Sequence, residues 1–345
     1  MSNTDSRFLP LQTMAVADGW YTQDVPTRLA TEVLPDRTVR LITTNNSPDI
    51  GFEQSINPYK GCEHGCVYCF ARPTHAYLDL SPGLDFETKL FYKTGVREHL
   101  QAELGHRRYT CRPIAIGTNT DPYQPLEREQ KNMRQILQVL LECQHPVTIV
   151  TKSALILRDL DLLQALAEQD LVHVHLSVTT LDNKLKTKLE PRTASPAARL
   201  RVISTLADAK VPTGAMIAPV IPFLNDHELE PMVGRCAEAG ARVVQYILIR
   251  LPHEVAPLFE QWLSHHYPLK AKRVMQTIRD TRGGKAYSAE WYQRMTGSGP
   301  VAELIGQRFN IALKRNGLSD ASLPRLRRDL IVPPLQPGNA QMSLF

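Results

Sequence analysis

The stretch NPYKGCEHGCVYCFAR, Asn57 to Arg72, carries Cys62, Cys66 and Cys69 with the spacing C-x3-C-x2-C. Three thiolates on one tight loop leave a 4Fe-4S cluster one ligand short, because full ligation takes four cysteines. An iron left open to another ligand marks a reactive site rather than an electron relay. Zinc is the alternative: three cysteines with His64 or His75 would complete a tetrahedral structural site. Zinc sites more often come as two separated cysteine pairs, and the chain has no second pair.

The spacing and its neighbours resemble the radical S-adenosylmethionine (SAM) superfamily. The resemblance implies that the amino and carboxylate groups of SAM chelate the open iron. It further implies that an electron from the reduced cluster, supplied by an external donor, cleaves the sulfonium and releases a 5'-deoxyadenosyl radical. Tyr68, just before the third cysteine, is then expected near the adenine.

The length of 345 residues suits one large α/β barrel or two smaller domains. Hydrophobic content of 43% supports a real core, and no run approaches the ~18 apolar residues of a membrane helix. The beginning, MSNTDSRFLPLQ, shows no secretion signal, so a cytoplasmic protein with no membrane partner is expected. Six cysteines with three in one loop do not make a disulfide framework. Cys111, Cys143 and Cys236 sit in apolar segments and read as small buried hydrophobes. A net charge of +5 is compatible with a nucleic-acid partner without being diagnostic of one. Basic residues bunch at His106–Arg108, Lys184–Lys188, Lys270–Arg273 and Arg325–Arg328; each bunch alone reads as a solvated face, and together they favour a phosphate-bearing substrate or partner.

Residues 1–52 read as an irregular arm with one short strand over Thr38–Ile42. From 53 to 275 β-branched runs alternate with amphipathic stretches. Strands are expected over Gln54–Asn57, Lys89–Tyr92, Ile114–Gly117, Val147–Thr151, Val172–Val178, Thr213–Ala218 and Val243–Ile249. Helices are expected over Glu127–Cys143, Asp159–Gln169, Pro196–Ala209, Asp226–Ala239 and Ala256–His266. Continuous apolar strands alternating with helices signal a parallel sheet covered by helices. The expected architecture is α/β, a partial (β/α)6-type barrel of the radical SAM kind with chemistry at the C-terminal strand ends. Residues 276–330 read as a helical C-terminal extension and 331–345 as a flexible tail.

The expected strand ends are polar. Thr118, Asn119, Thr120, Asp121 and Tyr123 follow Ile114–Gly117, Lys152 follows Val147–Thr151, and Ser177 closes HVHLS. A buried lysine needs an anion, and the SAM carboxylate suits Lys152. Ser177 offers a hydroxyl to a ribose, while Thr118, Asn119 and Thr120 offer polar groups near the amino group. Asp121 and Tyr123 are candidates to face the substrate. The same string also reads as a turn before a helix opened by Glu127. NPYKGCEHGCVYCFAR, TDPYQPLE, VTIVTKS and LSVTTLD together resemble the radical SAM branch related to spore photoproduct lyase, which reverses a thymine dimer in DNA. The true lyase carries a hydrogen-donating cysteine just before its Thr-Ser-Asp element, where this chain has Gly117-Thr118-Asn119. It also has tyrosines on both sides of the third cluster cysteine, where this chain has Tyr68 and Phe70. These departures argue against dimer repair, although Cys111 upstream is a candidate thiol.

The chain ends Gln341-Met342-Ser343-Leu344-Phe345, which resembles the pentapeptide by which bacterial DNA enzymes dock on the sliding clamp. Met342, Leu344 and Phe345 would fill apolar pockets and the Gln341 amide would orient them. The leading expectation is a radical SAM enzyme acting on nucleic acid in a repair-like role. The rivals are a radical SAM enzyme modifying a protein or small molecule, and a zinc-stabilised, non-catalytic adaptor for the clamp.

Overall fold

The structure, a computed structural model, describes residues 31–334. Ten strands lie in this span: β1 (Glu32–Asp36), β2 (Ile42–Thr44), β3 (Gln54–Ile56), β4 (Tyr59–Lys60), β5 (Lys89–Lys93), β6 (Ile114–Ile116), β7 (Val147–Thr151), β8 (Val172–Ser177), β9 (Thr213–Val220) and β10 (Val243–Leu248). Seven form the main sheet in the order β10-β9-β8-β7-β6-β3-β2. Six of these, β3 and β6 to β10, run parallel, and β2 closes the edge antiparallel to β3. The order is that of an open barrel of six parallel strands, as the alternation of apolar runs and helices implies. Ile114, Ile116, Val147, Ile149, Val172, Val174, Ala215 and Ile217 are fully or almost fully buried, because helices cover one face of the sheet and loops and side chains fill the other.

Two strand expectations need correction. Thr38–Ile42 is not a strand; Asp36 accepts hydrogen bonds from Thr38 N and Oγ1 at 3.0 and 2.8 Å, and this turn separates β1 from β2. Lys89–Lys93 is a strand outside the barrel, pairing with β1 and β4 in a small second sheet. Alternation reveals a strand but not its sheet. The helix expected over Glu127–Cys143 breaks at Lys131, whose φ is +52°. There the Glu127 carboxylate turns back to accept the Met133 N–H at 3.1 Å, starting a second helix at Asn132.

Beyond the barrel, helices span Pro268–Asp280 and Pro300–Arg315, joined by an irregular loop that reaches the arm. Arg294 Nε lies 2.5 Å from Asp49 Oδ2, an ion pair rather than an aligned hydrogen bond, and Tyr292 N donates to Asp49 Oδ1 at 2.7 Å. Residues 319–334 hold no helix or strand, yet they are fastened across the N-terminal strand ends. Arg327 N donates to the Asp170 carbonyl at 3.0 Å and Val332 N to that of Cys143 at 2.9 Å. The chain is therefore tied down past residue 331, where the tail was expected to begin. The pentapeptide residues Gln341, Met342, Leu344 and Phe345 lie outside the described residues.

Candidate active site

All six parallel strands deliver side chains at their C-terminal ends to one cavity of about 560 Å³. Cys62, Cys66 and Cys69 line it from the loop after β3 and β4. Thr118, Asn119 and Asp121 enter after β6, Lys152 after β7, Ser177 at the end of β8, Ala218 and Pro219 from β9, and Arg250 after β10. The sequence-based set thus converges, with two exceptions. Thr120 is buried and donates to the Tyr59 carbonyl at 2.8 Å. Tyr123 is fully buried, its hydroxyl donating to Asp159 at 3.2 Å. Its N–H bonds Asp121 Oδ1 at 2.9 Å, a turn that rotates the ring into the core, so Tyr123 does not face a substrate here. Cys111 also misses the cavity: it precedes β6, at the opposite end of the strand from Gly117.

The cysteine loop is positioned by its own backbone and by Gln124. Cys62 N donates to the Phe86 carbonyl at 2.9 Å and Val67 N to that of Leu189 at 3.1 Å. Gln124 accepts from Glu63 N at 2.9 Å and donates to the Gly61 carbonyl at 3.2 Å, so the TDPYQPLE string braces the loop from below. Gly61 takes φ +77°, and a Cβ there would press on Leu90 and the Phe86 carbonyl. Burial pushes the Cys62 thiol well above its ordinary pKa, and it pushes Cys66 up to about 12 with Glu190 adding to the effect. Buried thiols of this kind become thiolates where a metal takes the charge. Lys152 Nζ makes no hydrogen bond or ion pair among the described residues. Burial works against its charge, yet Cys66, Glu190 and Asp121 outweigh it and leave the pKa raised.

The donor set fits a cluster rather than a single ion. Among the described residues no three His, Cys, Asp or Glu side chains gather closely enough to hold one metal ion. A zinc ion draws its sulfurs to about 2.3 Å each, whereas a cluster takes one thiolate per iron and accepts wider spacing. His75 is buried with Nε2 against the Lys89 carbonyl at 2.9 Å, and His64 Nδ1 lies 3.4 Å from Asp121 Oδ2. Both histidines that could complete a tetrahedral zinc site with the cysteines are therefore engaged elsewhere.

Under the cavity lies a buried network that sequence reading missed. Glu190 accepts from the Tyr68 hydroxyl, from Thr179 Oγ1 at 2.7 Å and from Arg199 Nη2. Arg199 also donates to the carbonyls of Ala194 and Ser177, each at 3.0 Å. Burial alone would raise the Glu190 pKa, but Arg199 and Lys152 hold it down at about 2. The Tyr68 hydroxyl is thus committed below, leaving its ring on the cavity wall. The signal available was the string LEPRTASPAAR, whose charges look like surface residues until the fold buries them.

Asp121 is a positioning residue. It accepts from Thr151 Oγ1 and from Lys152 N, both at 2.7 Å, which fixes the turn that aims Lys152. Burial would raise its pKa, and His64 with the Thr151 and Lys152 bonds brings it well below the usual carboxylate range instead.

The chain belongs to the radical SAM superfamily, whose family model matches residues 56–236. With that membership come a 4Fe-4S cluster and SAM as cofactors. An uncharacterized protein of Mycobacterium tuberculosis is 37% identical over 236 residues, covering 68% of this chain and 69% of that protein. An uncharacterized protein of Methanocaldococcus jannaschii is 26% identical over 219 residues, covering 63% of this chain and 78% of that one. Among solved structures, spore photoproduct lyase superimposes with a TM-score of 0.58 at 16% identity, covering 83% of this chain and 79% of the lyase. This likeness shows a shared fold. One lyase structure contains AdoMet and a dinucleoside spore photoproduct. No described helix is long and apolar enough to cross a membrane.

Proposed function

We propose that this radical SAM enzyme acts on nucleic acid, with Cys62, Cys66 and Cys69 holding the cluster and Tyr68, Thr118, Asn119, Lys152 and Ser177 around SAM. The convergence of three thiols, two of them buried, an unpaired lysine and strand-end hydroxyls in one cavity carries the reading. When bound, the reduced cluster and SAM supply a 5'-deoxyadenosyl radical. The chain's part is to bind and orient. Lys152 presents a cation to the SAM carboxylate, Ser177 a hydroxyl to the ribose, and the Tyr68 ring an apolar wall. Asp121 aims Lys152, and Arg199 holds the Ser177 carbonyl. Apolar residues of the wall, among them Phe52, Met216 and Pro219, keep water from the reacting atoms.

The nucleic-acid assignment is supported by the fold shared with a lyase that was solved with a dinucleoside photoproduct. The basic wall beyond the cysteines adds to it: Arg250, His253 and Arg294 line the same cavity. Thymine-dimer repair by the lyase's route is disfavoured at Gly117. With φ +85°, a Cβ there would collide with the Val150 carbonyl oxygen, so this backbone has no room for a thiol-bearing side chain. The end-of-chain residues Gln341, Met342, Leu344 and Phe345 are assigned to docking on the sliding clamp, which would deliver the enzyme to DNA in the cytoplasm.

The test is anaerobic reconstitution followed by reduction with SAM. Four irons per chain and 5'-deoxyadenosine whose yield rises with DNA or RNA are the expected result. Deoxyadenosine formation indifferent to every nucleic acid would refute the substrate assignment and turn the search to proteins and small molecules. Substituting Cys62, Cys66 or Cys69 by serine should remove the cluster's visible absorbance.

A further inference from the structure

Among the described residues, the buried and half-buried arginines have carboxylate or carbonyl partners, with one exception. Arg72 meets Glu87 at 2.5 Å and the Gly83 carbonyl at 2.8 Å. Arg199 has Glu190, Arg294 has Asp49, and Arg282 donates to the carbonyls of Gln293, Leu248 and Ile249. Arg250 lines the cavity two residues past the end of β10 and has no carboxylate or carbonyl partner among the described residues. Its contacts are the Met295 thioether, 3.4 Å from Nη1, and the Phe70 ring, whose centroid lies 4.5 Å from Cζ. A thioether is a weak acceptor, and a guanidinium has five donors to satisfy. Its place over the Phe70 ring steadies the guanidinium without neutralising it. Of the residues lining the cavity, Asp121 is the one carboxylate, and it is already engaged by Thr151, Lys152 and His64. Burial lowers the Arg250 pKa and Arg294 adds to this, while Tyr287, Asp49 and Cys69 work the other way.

We propose that Arg250, set over the Phe70 ring, is the phosphate-holding residue of the substrate subsite, fixing a nucleotide's phosphate on the wall of the cavity after β10. The assignment rests on the nucleic-acid reading for its choice of phosphate. A guanidinium fork matches two phosphate oxygens at once, which sets orientation as well as attraction. Phe70, next to Cys69 in the chain, thereby ties the substrate anchor to the cluster loop. The position where the lyase branch has a second tyrosine here serves the guanidinium through an aromatic face.

The experiment measures binding rather than turnover. A fluorescein-labelled oligothymidylate of about ten residues is titrated by anisotropy against anaerobically reconstituted protein with SAM, for wild type, Arg250→Gln and Arg250→Lys. Arg250→Gln should weaken binding roughly tenfold and reduce the slope of log K against log salt by about 0.7, the value of one single-strand phosphate contact. Arg250→Lys should keep the slope and recover only part of the affinity. Equal affinity and slope in wild type and Arg250→Gln would overturn the assignment while leaving the nucleic-acid reading in place. In parallel, wild-type protein is treated with phenylglyoxal and the Arg250 peptide is followed by mass spectrometry, with and without tripolyphosphate. Protection of Arg250 is expected, and it decides the question if the Gln variant does not fold. If wild type binds no oligonucleotide, the nucleic-acid reading falls; tripolyphosphate protection would then uphold an anion subsite at Arg250, and its absence would remove that too.

Discussion

Glu190→Gln tests whether the buried network under the cavity holds the site. The pair it breaks is sealed: both side chains are almost wholly removed from solvent. Removing one member of such a pair costs about 3–5 kcal/mol, because the other charge stays buried alone. Arg199 would retain the Ala194 and Ser177 carbonyls at 3.0 Å and the Thr193 hydroxyl at 2.6 Å, and glutamine would still offer one oxygen. The lower end, about 3 kcal/mol, is therefore expected. Anaerobic urea unfolding measures it, with SAM affinity followed by equilibrium dialysis. Because Arg199 also bonds the Ser177 carbonyl, SAM binding should weaken along with stability. Pairing Glu190→Gln with Arg199→Met should recover at least about 1 kcal/mol relative to the sum of the single changes. A loss under about 1 kcal/mol, or unchanged SAM affinity at reduced stability, would refute the claim that this pair supports the site.

His145 is fully buried, with Nε2 2.7 Å from the Tyr109 hydroxyl, and burial lowers its pKa from 6.5 to about 4. The unfolded chain takes up that proton first, so stability is full above about pH 6.5 and falls as pH drops toward 4; the loss at pH 5 is about 2 kcal/mol, and His145→Gln should flatten the slope of stability against pH. Gly117→Ala should destabilise by at least about 2 kcal/mol in thermal unfolding, since it adds both a positive-φ penalty and the Val150 clash. Asp121→Ala frees Thr151 Oγ1 and Lys152 N, so a SAM affinity lower by roughly tenfold is expected by dialysis; unchanged affinity would remove Asp121 from its positioning role.

What the sequence disclosed follows from how locally each feature is encoded. The cysteine spacing, and lysine or serine directly after apolar β-branched runs, are contiguous, so Cys62 could be placed on a ligand loop and Lys152 and Ser177 at strand ends from the sequence. Strand existence was legible for the same reason, while membership was not: β5 and β1 join a second sheet through pairings more than fifty residues apart. Tyr123 was misjudged because a two-residue turn on Asp121 rotates it into the core, which composition cannot reveal. Glu190, Arg199 and Arg250 escaped because charged residues are ordinarily exposed, and only the completed fold buries the first two and half-buries the third.

The clasp between Arg294, Tyr292 and Asp49 sits where the barrel is open, between the β10 and β2 edges. Parting any two neighbouring barrel strands means breaking a backbone ladder. Among the described residues, this seam is crossed by one ion pair, the bond from Tyr292 N and the contact between Arg294 and Ser47. Side chains fasten this edge, where backbone ladders fasten the strands. A phosphate held at Arg250 would lie beside this seam, because Arg294 lines the same cavity.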